Sequence, residues 1–380
     1  MAVLLLFVVA SVAGPAFHPP SWVEFFASVA AIVPLAAFIG SGTEALADRL
    51  GARVGGLFNA TFGNAPDLLV GIFGVQKGLI LLVKATIVGA LISNSALIMG
   101  LCYIAAGLKY GRPRFNRHEA GHHSVLMMLT IAAILFPSLG SFVICGSHGA
   151  CSTSAGAPIL TISVAISVVL LVAYGAYLAF GVLGLESLRG KHVAPMETRL
   201  LAEDSAVQHR KPWPLWLAIA VLALSTLALI PVINNLTDSV APVTKSLGLT
   251  EVFVGMVIIG NAGNVAEAYA ALRFALVRPG APQGGGPHGD SGLDLALGIA
   301  SASSIQIATF VAPVVVFVSL LSRPMNLVFS PVEIGILGLL TLMFTYTAQD
   351  GEANWLEGAQ LLALYVMAAV VFFVLPTSAF

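Results

Sequence analysis

The chain has 380 residues and a formal net charge of −1; 58% of its residues are hydrophobic and only 9% are charged. A soluble domain carries about 25% charged residues, so this composition, with a mean hydropathy of +0.96, excludes one and implies a surface that faces lipid. The basic residues are dispersed over short loops, which gives no footprint for nucleic acid.

Apolar runs of about 20 residues predict an all-α integral membrane protein with about eleven transmembrane helices. In chain order they cover 2–18, 23–48, 51–77, 79–108, 121–143, 157–184, 213–234, 251–276, 293–321, 329–348 and 355–376. Lipid offers no partner for open backbone groups, so these runs are read as helices, and the alternating strands of a β-barrel are absent. The first run has small residues (Ala10, Ala13, Ala16), as a signal peptide would, but no positive n-region; it is read as a retained first helix.

The predicted organisation is a first helix (1–20), a five-helix repeat (21–185), a linker (186–212) and a second five-helix repeat (213–380). The linker is the longest charged segment and reads as solvated and cytosolic. An odd number of spans per repeat inverts the second copy relative to the first. Pro279–Gly292 is rich in Gly and Pro and reads as a flexible loop. Most loop arginines and lysines, from Arg49 and Arg53 to Arg273 and Arg278, collect on one side, whereas Lys77, Lys245 and Arg323 lie on the other. The basic side is expected in the cytosol, with the N-terminus inside. Compact loops and short termini suggest a prokaryotic inner (plasma) membrane. Cys102 reads as a small core residue, while Cys145 and Cys151 bracket a polar loop on the outer face, where a disulfide is open.

A polar cluster recurs in these apolar runs at an offset of two hundred positions. Gly63-Asn64-Ala65-Pro66-Asp67 is repeated as Gly263-Asn264-Val265-Ala266-Glu267, and Val54-Gly55 as Val254-Gly255. A carboxylate at the centre of a membrane helix costs roughly 2.5 kcal/mol or more, so two in matching positions point to a site shared by inverted halves. Asn64 and Asp67, and likewise Asn264 and Glu267, are three apart and are expected on one helix face. Pro66 cannot donate to the Phe62 carbonyl, and Gly63 and Gly263 weaken the helices at the same level. Freed carbonyls there can bind cations.

A second polar patch follows each cluster: Gly89, Ser93 and Asn94 in the first half, Ser301, Ser303, Ser304 and Gln306 in the second. Ca²⁺ takes about six to eight oxygens, a need that two carboxylates plus amide, hydroxyl and backbone oxygens meet; no His or Cys accompanies the acids. The alternative role for each Ser or Asn is interhelical bonding. Glu44, after Gly40-Ser41-Gly42, either lines the cytosolic approach or is a helix-end charge.

At these residues the chain resembles the cation/proton exchangers of the calcium/cation antiporter superfamily. Gly55 to Asp67 is similar to the family's first α-repeat, and Phe253 to Glu267 to its second. The likeness continues through Asp294 to Gly298, Ser303 to Gln306 and Asp350 to Gly358. It covers the chain from about residue 30 onward.

The resemblance implies exchange of cytosolic Ca²⁺ for H⁺, both as transported substrates and with no cofactor, by alternating access at a midplane site. Asp67 and Glu267 would be the motif acids, binding the cation or protons alternately, and Asn64, Asn264 and Gln306 accessory ligands. Spans 2 and 7 would gate. Departures from the family pattern are Asp67 in place of the usual Glu, Asn234 in place of an acid, and Gly260 and Asn261 in apolar or proline positions. The linker, with Glu186, Glu197, Glu203 and Asp204, is also less acidic than usual.

Three other readings compete. His118-Glu119-Ala120-Gly121-His122 matches the zincin pattern H-E-x-x-H, the signature of a metalloprotease, but follows Arg112 to Arg117 at the start of a span without an evident third ligand. A Na⁺- or K⁺-coupled Ca²⁺ exchanger keeps the fold and changes the coupling ion. A channel or sensor ranks below both exchangers. Mn²⁺ or another hard divalent in place of Ca²⁺, the stoichiometry and the oligomeric state stay open.

Overall fold

The computed structural model describes residues 2–145, 153–181, 213–276 and 292–376. The linker 186–212, Cys151 and most of Pro279–Gly292 lie outside the described residues. In order the helices are α1 (Ala2–Phe17), α2 (Ser21–Leu50), α3 (Ala52–Phe62), α4 (Ala65–Lys77) and α5 (Ile80–Tyr110). Next come α6 (Arg117–Cys145), α7 (Thr153–Gly181), α8 (Leu215–Leu247), α9 (Glu251–Gly263) and α10 (Val265–Ala275). The last are α11 (Gly292–Ser319), α12 (Pro331–Asp350) and α13 (Trp355–Val374).

Each apolar run coincides with one helix or with a helix broken in two, and the protein is an all-helical, multi-pass membrane protein. Among the described residues seven helices are long and apolar enough to cross a membrane, and the bent pair α9–α10 makes an eighth. The apolar parts of α1 (Leu4–Phe17) and α12 (Pro331–Thr347) are shorter.

The chain forms two compact units, each drawing helices from earlier and later parts of the sequence. The first takes Met1–Phe73 and Val172–Gly248. Here α2 packs against α1, α3 and α8. Its crossing with α8 is close at Gly42, where a Cβ would stand 3.2 Å from Leu222 Cβ and 3.4 Å from the Ala218 carbonyl oxygen. Lipid gives no hydrophobic drive for such contacts, so small residues and polar bonds hold them. The buried Ser11 and Ser28 hydroxyls meet at 2.8 Å, and Asn235 Nδ2 donates to the Ser11 carbonyl at 2.8 Å, tying α1 to both α2 and α8. Tyr174 of α7 donates to the Ala60 carbonyl of α3 at 3.0 Å.

The second unit takes Gly74–Leu171 and Leu249–Phe380. Its centre is the crossing of α5 with α9. A Cβ on Gly89 would fall 2.3 Å from the Met256 carbonyl oxygen, and one on Gly255 2.8 Å from that of Leu82. Backbone meets backbone at both points, and only glycine permits it. Helix α13 packs on α5 in the same way, through Gly100 and Gly358.

Residues 324–330 of this unit are non-helical, yet Met325, Leu327 and Phe329 are buried. Non-helical backbone at such a place must find partners within the protein. Serines of three helices supply them: the amides of Met325, Leu327 and Phe329 donate to the hydroxyls of Ser319 (2.8 Å), Ser163 (3.0 Å) and Ser138 (3.0 Å). Lys84 Nζ donates to Asn326 Oδ1 (2.6 Å) and the Val328 carbonyl (2.7 Å) and lies over the Phe329 ring. The segment ends at Ser330, which forms a capping box with Glu333 and starts α12.

At the other end of α5 and α12, Phe115 donates to the Gly351 carbonyl and Ala353 to that of Pro113, both at 2.9 Å, joining the two connecting loops. Arg114 and Glu352 bridge the same pair at 2.8 Å, largely in solvent. Gly351 takes φ +72°, the left-handed conformation that ends α12. Cys102 is free and buried, as expected for a core residue. Cys145 is disulfide-bonded, and its expected partner Cys151 lies outside the described residues.

Candidate functional site

Both polar clusters fall at a break in a helix. In the first unit α3 stops at Phe62, Gly63 and Asn64 form a turn, and α4 starts at Ala65. The Gly63 amide still reaches the Asn59 carbonyl at 2.8 Å, and Leu68 opens the next helix by donating to the Asn64 carbonyl at 3.0 Å. Pro66 is the second residue of α4, where its missing N–H is tolerated.

In the second unit the chain bends by 59° between α9 and α10, with Asn264 at φ −93° and ψ 8°. Ala268 donates to the Asn264 carbonyl at 2.9 Å and opens α10. The weakening expected at Gly63 and Gly263 is a full break in each helix. Asn64 and Asn264 stand at the caps of new helices, and Asp67 and Glu267 are the third residues of those helices.

This position carries an electrostatic consequence. The first turn of a helix presents unpaired N–H groups and the positive end of the helix dipole, which favours a carboxylate there. Asp67 and Asn64 are buried, at 7% and 3% exposure, and Asn264 at 2%, whereas Glu267 is half-buried. The second half-helix is anchored at its far end, where Lys109 and Tyr110 both donate to the Leu276 carbonyl, at 2.9 and 2.5 Å. Glu44 is half-buried in α2 of the first unit, next to Thr43, whose hydroxyl lies 2.8 Å from the Gly40 carbonyl oxygen and 3.2 Å from Asn59 Oδ1.

The second unit holds much of the expected neutral-oxygen set. Asn94 Nδ2 donates to the Ser303 hydroxyl at 2.9 Å, while Asn94 Oδ1 is buried without a partner among the described residues. Asn264 Nδ2 reaches the Ala90 carbonyl at 3.4 Å. Ser301 and Ser304 donate to the Leu297 and Ala300 carbonyls of their own helix, and Gln306 is buried. Gly89 is a helix-crossing residue packed on the Met256 backbone.

Two features were not read from the sequence. Helix α5 becomes π-helical over Ser93–Ile98 and α11 over Ile307–Val311, immediately beside the polar patches. A third π stretch, Val254–Ile259, precedes the second break. Such bulges mark functional sites in helices, and no residue type announces them. The other is a network in which Ser93 donates to Asn261 Oδ1 at 2.6 Å and Asn261 Nδ2 contacts Tyr365 at 2.7 Å. Asn261, a polar residue in an apolar run, was the available signal.

Among the described residues no three His, Cys, Asp or Glu side chains gather into a metal cluster. The H-E-x-x-H residues His118, Glu119 and His122 begin α6, and their side chains lie outside the described residues.

A multi-pass helical protein with acids in the first turns of half-helices has the architecture of a secondary transporter. The chain belongs to the sodium/calcium exchanger protein family, which matches residues 20–183 and 217–374. It is 34% identical to a Ca²⁺/H⁺ antiporter of Aphanothece halophytica over 98% of this chain and 96% of that protein. It is equally 34% identical to the Ca²⁺/H⁺ antiporter ChaA of Bacillus subtilis, over 96% of both chains. The solved structure of native YfkE has the same fold, with a TM-score of 0.78, 32% identity and coverage of 98% of this chain and 99% of that one.

Proposed function

We propose that the protein is a secondary active antiporter that exchanges Ca²⁺, or a similar hard divalent cation, for H⁺. The observation that carries this reading is the duplicated helix break, each followed in its first turn by a carboxylate, Asp67 and Glu267. The near full-length likeness to curated Ca²⁺/H⁺ antiporters supports the choice of ions.

Charge supplies the mechanism. Carboxylates compensate the charge of a divalent cation; when the cation leaves they take up protons, so they are never required to stand empty and ionised in a low-dielectric setting. Asn64, Asn264, Ser93, Asn94, Ser303, Ser304 and Gln306 are assigned as neutral oxygen donors that replace water around the ion. Competition for the acids couples the two fluxes, and alternating exposure carries each ion across. Glu44 is assigned to the cytosolic approach. The excess of Lys and Arg in one set of loops supports a cytosolic N-terminus, and the bacterial relatives support a prokaryotic plasma membrane.

The test uses the purified chain in sealed, Na⁺-free proteoliposomes with a fluorescent Ca²⁺ indicator inside. An outwardly directed H⁺ gradient is expected to drive Ca²⁺ uptake that collapses with a protonophore. Uptake that appears only with a Na⁺ or K⁺ gradient would reassign the coupling ion.

A further inference from the structure

Ser93 stands apart from the serines around it. Ser95, Ser301 and Ser304 return their protons to carbonyls four residues earlier on their own helices, at 2.8, 2.7 and 3.1 Å. Ser93 instead meets Oδ1 of Asn261 at 2.6 Å, from the first residue of the π-helical stretch of α5.

The direction of this bond follows from the other contacts of Asn261. The Val257 carbonyl, which can only accept, lies 2.5 Å from Nδ2, so the amide nitrogen must face it. Nδ2 also lies 2.7 Å from the Tyr365 hydroxyl. The remaining atom, Oδ1, can only accept, and the Ser93 proton is therefore held on the Asn261 side. Both lone pairs of the Ser93 oxygen are left for another partner. Ala90, one turn earlier on the same face of α5, touches Asn264 at the helix break that precedes Glu267.

Asn261 occupies a place where the resemblance predicts an apolar or proline residue. A lone amide in an apolar membrane helix is costly unless its bonds are made, and this one makes them with three partners. Simple interhelical bonding would need only the contact with Tyr365. Orienting a hydroxyl needs the Ser93 contact with its direction fixed, which the Val257 carbonyl provides.

We propose that Asn261 is a positioning residue that holds the Ser93 hydroxyl as a pure oxygen acceptor for the transported divalent cation, and so sets the cation affinity of this chain. The proposal rests on the exchange function above. It assigns Asn261 no contact with the ion; its effect passes through Ser93.

The experiment compares H⁺-driven Ca²⁺ uptake by wild type, Asn261→Leu, Ser93→Ala and the double variant in proteoliposomes, with thermal unfolding in detergent measured on each. Losing one oriented oxygen ligand is expected to raise the Ca²⁺ KM about tenfold in either single variant, with maximal rates within about twofold of wild type. The double variant is expected to match the singles rather than multiply them, because both remove the same interaction. Ser93→Thr, which keeps the hydroxyl, is expected to restore most of the affinity.

A normal KM in Asn261→Leu, or multiplicative effects in the double variant, would overturn the proposal, as would a loss confined to thermal stability. If Asn261→Leu does not purify as one species, Asn261→Ala takes its place with the same expectations. Asp67→Asn, run beside them, separates the two levels: exchange surviving in that variant defeats the exchange mechanism itself, whereas a silent Asn261 defeats only the positioning role.

Discussion

Asn94, within the π-helical stretch of α5, and Ser303, one turn before that of α11, are more than two hundred residues apart in sequence and share a buried hydrogen bond of 2.9 Å. The bond joins the two polar patches inside one compact unit. The two polar patches therefore touch at this one pair of side chains.

Removing one side of this pair should cost more than removing both. Ser303→Ala leaves the Asn94 amide buried without its acceptor, a loss of about 1–3 kcal/mol in a thermal or denaturant unfolding assay. Asn94→Leu combined with Ser303→Ala is expected to recover part of that loss while abolishing high-affinity Ca²⁺ uptake. A stability deficit that simply adds would show that the two groups are not coupled.

The α5–α9 crossing has no room for a side chain. Gly89→Val places branched carbons where the Met256 backbone already stands. Overpacking of this kind costs about 1–3 kcal/mol when neighbours can move, and backbone contacts leave less freedom than that. The variant is expected to express poorly and to elute as aggregate on size exclusion. Gly121→Ala, where open space surrounds the position, should behave as wild type.

The non-helical segment 324–330 depends on borrowed hydroxyls. Ser163→Ala deprives the buried Leu327 amide of its acceptor and is expected to cost about 1–3 kcal/mol. Hydrogen–deuterium exchange should rise across 324–330 and stay unchanged in α13. Lys84→Met removes the donor that holds Asn326 and the Val328 carbonyl, and is expected to cost about 1–3 kcal/mol in the same unfolding assay.

Arg114–Glu352 is the contrasting case. The Arg114 side chain is 81% exposed, so Arg114→Ala is expected to change stability by less than about 1 kcal/mol despite the short 2.8 Å contact. A larger loss would mean that the loop pairing between Pro113 and Ala353 depends on the charge, which raised salt would then reveal.

Much of this architecture is legible in the sequence because lipid imposes simple rules. A span must be long and apolar, so the runs at 79–108 or 213–234 stand out, and a carboxylate in such a run must have a reason to be there. The breaks at Gly63–Asn64 and Asn264 were signalled by Gly and Pro. Their consequence was not: a break turns an i, i+3 pair into a cap and a first-turn residue. The π stretches, the Asn261–Tyr365 contact and the serines holding 324–330 escaped because they depend on tertiary neighbours. Ser138, Ser163 and Ser319 look like ordinary small residues of membrane helices, and only the non-helical segment beside them gives their hydroxyls a task.

The most direct test of the central claim is simultaneous recording of Ca²⁺ uptake and H⁺ release in proteoliposomes bearing wild type, Asp67→Asn or Glu267→Gln. Two acids that carry both ions in turn predict coupled fluxes in the wild type and loss of both fluxes together in each variant, with the protein still folded. Sustained, coupled exchange in either variant would contradict the account.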